Sequence, residues 1–137
     1  MVHALREAHR VLKRDGLLLD LRPGSVHRRI GIEADGHYEQ LAIMDEKLED
    51  DHAANRAVAE MIRAGLFKSI SRSQFNCNRI IPLKDFIDWL ADFANDRADP
   101  YERLIQTVTQ AYKLKGKRKR IVAKGPLVLK ILQKVES

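Results

Sequence analysis

The sequence predicts an α/β domain in which helices pack on an apolar sheet, and three observations carry that prediction. A helical stripe stops near a glycine and gives way at once to the run Leu17, Leu18, Leu19, Asp20, Leu21. A second helical stripe ends at Gly65 and is followed by the extended stretch Phe67 to Ile81. The chain closes on Ile121 to Val135, where Leu127, Val128, Leu129, Ile131 and Leu132 predict an apolar, buried last strand. Alternating helical and extended segments are the mark of sheets covered by helices.

The first helix rests on Ala4, Leu5, Ala8, Val11 and Leu12 at helical spacing, with Arg6, Glu7, Arg10 and Lys13 on the opposite side. Gly16 is expected to end it in the left-handed conformation that costs glycine nothing. The leucine run after it reads as a strand buried on both faces, as in a parallel sheet, and Pro23 with Gly24 breaks it. Between Arg29 and Ile43 the pair Asp35-Gly36 predicts a tight β-hairpin.

Leu48 to Gly65 places Ala54, Val58, Met61 and Ile62 on one helical face. Glu49, Asp50 and Asp51 lie at its N-terminal end, where the helix dipole favours carboxylates. Phe67 to Ile81 is polar through its middle and suits a long edge strand. Pro82 opens a helix over Leu83 to Ala94 with Leu83, Phe86, Ile87 and Leu90 on its stripe. Asp99 is placed to cap a further helix carrying Tyr101, Leu104, Ile105, Val108 and Tyr112.

At 137 residues the chain has the size of one domain, and a single domain over 1–137 is expected. Its 25 Lys and Arg against 19 Asp and Glu leave a formal charge of +6, a moderate excess that favours acidic partners. Cys77 is the only cysteine, which excludes an intrachain disulfide and a Cys-rich zinc site and points to a reducing compartment. No apolar run approaches the roughly 20 residues of a membrane span, and the first residues have no signal-peptide core. A cytoplasmic protein without a membrane partner is expected.

From Ala4 to Pro23 the sequence resembles the helix, turn and fifth strand that follow the fourth strand of class I S-adenosylmethionine-dependent methyltransferases. Arg10, Val11, Leu12, Lys13 and Gly16 match the family's helix ending, whereas Arg14 and Asp15 stand where the family commonly has Pro and Gly. The resemblance implies a partial Rossmann-like sheet with equivalents of strands five, seven and six, flanking helices and an added β-hairpin. The last strand would then run antiparallel between the other two. In the family a glycine-rich turn and an acidic residue, both earlier in the chain, hold the cofactor, and the 7 glycines here make no such cluster. The resemblance therefore implies a truncated, C-terminal half-domain. No cofactor belongs to this chain and S-adenosylmethionine is implied only for a full-length relative. No catalytic or cofactor-binding residue is assigned, and the chain alone is expected to transfer no methyl group.

Two groups of residues are candidates for binding. Asp20, Arg22 and Ser25 lie around Pro23 and Gly24 at the carboxyl end of the leucine strand, the side on which open α/β sheets bind ligands. By the resemblance this loop faces the methyl acceptor. Lys115, Lys117, Arg118, Lys119 and Arg120, within the basic segment Lys113 to Lys124, form the densest positive patch. They carry the alternative reading, a small basic module that contacts nucleic acid or another acidic partner through phosphates. The patch has no interleaved aromatics for base stacking.

His3, His9, His27, His37 and His52 lack the spacing of metal ligands, and no serine has the context of a hydrolase nucleophile. Without a fourth strand beside it, the edge at Leu17–Leu21 would lie open. It is expected to be covered by the hairpin or by a second copy of the chain in a homodimer.

Overall fold

In the computed structural model, which describes residues 1–94 and 101–136, helices and strands alternate in the order α1 (Val2–Val11), β1 (Leu17–Pro23), β2 (Arg29–Ala34), β3 (His37–Ile43), α2 (Glu49–Arg63), β4 (Phe67–Ile81), α3 (Leu83–Ala94), α4 (Glu102–Leu114) and β5 (Lys119–Lys134). The strands form one open sheet in the order β1-β5-β2-β3, with β4 also paired to β5. The pairings with a resolved register, β1 with β5, β2 with β5 and β2 with β3, are antiparallel. The α/β composition expected from the sequence is present. Contacts group the chain into two compact units, one of Met1–Val26, Lys47–Phe75 and Pro126–Ser137, the other of His27–Glu46 and Asn76–Gly125.

In the first unit α1 and α2 pack on the face of β1 and β5 that carries Leu18 and Leu132. Leu5, Ala57, Val58, Met61, Phe67 and Leu132 form the core there, with Val2, Leu12 and Leu18 against them. The end of α1 is held by Lys134, whose Nζ donates to the Leu12 carbonyl at 2.8 Å, and His9 meets the ring of Phe67 edge-on at 5.4 Å. At the end of α2 the Gly65 N–H donates to Ile62 O and the Leu66 N–H to Met61 O, the paired bonds that satisfy a helix's last carbonyls. Gly65 adopts a φ of 73° to make them, as its place after the stripe predicts.

Three expectations for this unit need correction. The residue in left-handed conformation after α1 is Asp15, with φ 57°, not Gly16. Gly16 is required for space instead, because a Cβ there would lie 2.8 Å from the Lys13 carbonyl. Nor is β1 a parallel strand buried on both faces. It pairs antiparallel with β5 from Leu17↔Gln133 to Pro23↔Leu127, and Leu17, Leu19 and Leu21 are 54–63% exposed while Leu18, Asp20 and Arg22 face inward. An antiparallel strand can leave one face to solvent, and a run of leucines fills both faces without revealing which is open. Finally, the hairpin does not cover β1: it joins the sheet through β2, which pairs with β3 and β5.

In the second unit the hairpin turns at Asp35 and Gly36, with φ of 52° and 80°, directly between the paired Ala34 and His37. Positive φ at both central residues gives the turn whose twist matches the strands, the hairpin that the Asp-Gly pair predicts. Ile30, Met44, Phe86, Leu90, Val108 and Ile121 are fully or almost fully buried in the core beneath α3 and α4. Tyr101 immediately precedes α4 with φ 61° and donates its hydroxyl to the Asp45 carbonyl at 3.0 Å. Asp99, expected as the cap, lies outside the described residues. β4 is exposed from Lys68 to Ile80, as an edge strand would be.

Candidate functional site

The period of two along a strand and the register between strands decide what faces what in the first unit. Leu18, Asp20 and Arg22 share one face of β1, and across the ladder stand Leu132, Lys130 and Val128. Leu18 and Leu132 enter the core, whereas Asp20, Arg22 and Lys130 continue that face as a polar patch. Asn55 on α2 and Arg72 on β4 reach the same place, and the chain after β1 adds Ser25. Together they line a cavity of about 260 Å³, slightly below the roughly 300–1,000 Å³ of small-molecule pockets.

The polar groups form one connected network. Arg22 is clamped by Asp20, Nε donating to Oδ1 at 2.7 Å and Nη2 to Oδ2 at 2.8 Å, the bidentate geometry that makes such pairs strong. The Asp20 side chain is only 9% exposed, so this carboxylate holds Arg22 from inside the fold. Nη2 of Arg22 also donates to Asn55 Oδ1 at 3.1 Å, and Asn55 Nδ2 donates to Ser25 Oγ at 2.8 Å. Lys130 Nζ approaches the same Asn55 oxygen at 3.4 Å. The turn that carries Ser25 is fixed by the Gly24 N–H, which donates to the Pro126 carbonyl at 2.8 Å.

Charge does not balance in this cavity. Arg22, Arg72 and Lys130 stand against Asp20 alone, a formal excess of two positive charges. The Lys130 ammonium feels it: burial first, then Arg22 and Arg72, push its pKa below the ordinary lysine value, and Asp20 only partly opposes them.

The candidates of the leucine strand, Asp20, Arg22 and Ser25, are thus brought together. Asn55, Arg72 and Lys130 were not foreseen. Asn55 gave a signal, since it lies three residues before Val58 and seven before Ile62 on an otherwise apolar stripe. Lys130 gave one too, as the only charge within Leu127 to Leu132. Arg72 gave none, because it lies in the mostly polar middle of its strand.

The basic patch is less free than its sequence suggests. Lys115 pairs with Glu39, and Arg120 Nε donates to Glu33 at 2.9 Å. Lys119 donates to the Tyr112 carbonyl at 2.6 Å and lies 4.3 Å from that ring's centre, and Lys124 lies 3.7 Å from the centre of Tyr38. Lys117 and Arg118 remain at its exposed tip. Lys119 and Arg120 belong to β5 rather than to a loop.

No protein-family model, curated protein or solved structure matches the chain. Among the described residues no helix is long and apolar enough to cross a membrane. The described glycines with positive φ, Gly36 and Gly65, serve a hairpin turn and a helix end.

Proposed function

We propose that this chain is the C-terminal portion of a methyltransferase-like domain of the S-adenosylmethionine-dependent class, and that the cavity at Asp20, Arg22 and Ser25 is its acceptor side. The observation that carries the reading is the position of β5. The last strand of the chain runs antiparallel to β1 and also pairs with β4, so that β1, β5 and β4 are neighbours in the manner of strands five, seven and six. The cavity supports it further, since it opens at the carboxyl end of β1, where that class brings its acceptor. In this reading the exposed leucines of β1 lie where the cofactor-bearing half would pack. The chain's own part is to bind and orient the acceptor through Arg72 and Lys130 on a wall fixed by Arg22 and Asn55, and no step of methyl transfer is assigned to it.

The coding sequence upstream of Met1 provides the test. An in-frame glycine-rich segment is expected about 80–120 residues earlier, the distance set by a domain of ordinary size. The extended protein should bind S-adenosylmethionine, seen as a rise in melting temperature. The 137 residues alone should show no rise. A shift with the 137-residue chain, or an upstream reading frame with no such segment, overturns the proposal.

A further inference from the structure

We infer that the cavity between Arg22, Arg72 and Lys130 binds an anionic oxygen group, a carboxylate or phosphate, carried by a small molecule. The inference rests on the acceptor-side reading for the identity of that molecule, but the anion site itself stands on the geometry of this chain.

The three cations are not equivalent. Arg22 has committed Nε and Nη2 to Asp20 and Asn55, so it is a fixed element of the wall whose Nη1 alone is unspent. Lys130 has a single long contact, 3.4 Å to Asn55, and Arg72 a single one of 3.5 Å to Gln74. Both therefore keep most of their donors for a ligand, and they line the cavity from two different strands. A carboxylate or phosphate oxygen between them would replace two weak contacts with charge-assisted hydrogen bonds. It would also offset the burial and the neighbouring Arg22 and Arg72 charges that lower the Lys130 pKa.

Ser25 and Asn55 add neutral groups at the rim, which fix orientation without contributing charge. Pro23, Val26 and Val128 add apolar groups to the lining, Val128 standing directly across the ladder from Arg22. A site that mixes cations with aliphatic groups suits an organic anion better than a bare inorganic one. Its volume of about 260 Å³ accommodates the head of a small molecule, not a nucleic-acid duplex.

Titrating the ¹⁵N-labelled chain with sodium phosphate and, in a second series, with sodium acetate at constant ionic strength tests the site directly. Saturable shifts are expected at Ser25, Asn55, Arg72 and Lys130, and the stronger of the two series identifies the preferred anion. Arg72→Gln and Lys130→Gln should each weaken binding about tenfold, equivalent to about 1.4 kcal/mol, while Lys130→Arg, which keeps the charge, should retain it. Because Arg72 is exposed, its variant keeps the fold even if a change at Lys130 does not.

Shifts that fail to saturate, that sodium chloride reproduces, or that survive Arg72→Gln overturn the inference. A mixed oligonucleotide that binds more tightly than either anion and loses affinity in the same variants overturns the small-molecule assignment. None of these measurements uses S-adenosylmethionine, so failure here leaves the methyltransferase reading standing. Conversely, an upstream frame without a glycine-rich segment leaves the anion site standing.

Discussion

Replacing Asn55 separates its role as a connector from the charge of the cavity it serves. Asn55→Ala removes an acceptor for Arg22 at 3.1 Å, a donor to Ser25 at 2.8 Å and the weak 3.4 Å contact to Lys130. A net hydrogen bond is worth about 0.5–1.5 kcal/mol, and water can enter an open cavity to satisfy part of what is lost. Two full bonds and one weak one give a destabilisation of about 2 kcal/mol. With an unfolding entropy of about 2.1 cal/mol/K per residue, a chain of this length should melt ~7 °C lower.

Asn55→Asp keeps both acceptor contacts and adds a carboxylate beside two cations. Charges about 4 Å apart attract by about 4 kcal/mol at an effective dielectric of 20, but desolvation and screening leave roughly 1 kcal/mol or less for a partly exposed group. Ser25 can turn its hydroxyl to donate instead. The aspartate variant should therefore melt at or above the wild-type temperature, and should bind phosphate and acetate less well. Calorimetry of the three proteins at neutral pH decides the matter. An alanine variant that melts within a degree of wild type, or an aspartate variant as unstable as the alanine one, refutes the assignment of Asn55 as the hub.

Two further predictions concern the second unit. A Cβ at Gly31 would meet the Glu39 carbonyl and lie 2.5 Å from the Tyr38 ring, so Gly31→Ala should cost about 1–3 kcal/mol, read as a lower urea midpoint. Burial pushes the Tyr38 phenol above its ordinary value of 10.0, with Arg29 partly opposing. Its neutral form is therefore favoured by folding, and the stability this contributes is full below pH 10 and declines as pH rises above it. Absorbance at alkaline pH should show one of the tyrosines ionising late. Because its buried hydroxyl has no hydrogen-bond partner among the described residues, Tyr38→Phe should be neutral or stabilising and should abolish the late phase.

Local chemistry made much of the fold legible. Asp35-Gly36 fixed the hairpin, Gly65 the end of α2, and the stripes of α2 and α4 are the faces that the structure buries, whereas on α3 Ile87 of the expected stripe is 57% exposed and Trp89 is buried in its stead. Which face of β1 stays open was not legible, because a run of leucines fills both faces alike. The difference lies in partners more than 100 positions away, such as Gln133 for Leu17. The basic patch misled for the same reason: Glu33 and Glu39, which engage Arg120 and Lys115, are remote in sequence and come close only when β5 pairs with β2. The cavity was half readable. Asp20, Arg22 and Ser25 sit within one short stretch, while Asn55 and Lys130 announce themselves only as polar residues among apolar ones.

That mixture of near and far contacts gives the cavity an order of assembly. Asp20 and Arg22 are two positions apart, so their pair needs no loop closure and can form as soon as β1 is extended. The bonds of Asn55 to Ser25 and Lys130 close stretches of 30 and 75 residues and must wait for α2 and β5 to arrive. Arg22 is thus oriented early, and the other cations gather around it late. A partly folded chain that keeps the Asp20–Arg22 pair retains a salt bridge with nothing to bind, and recovery of anion binding during refolding reports that all three stretches have met.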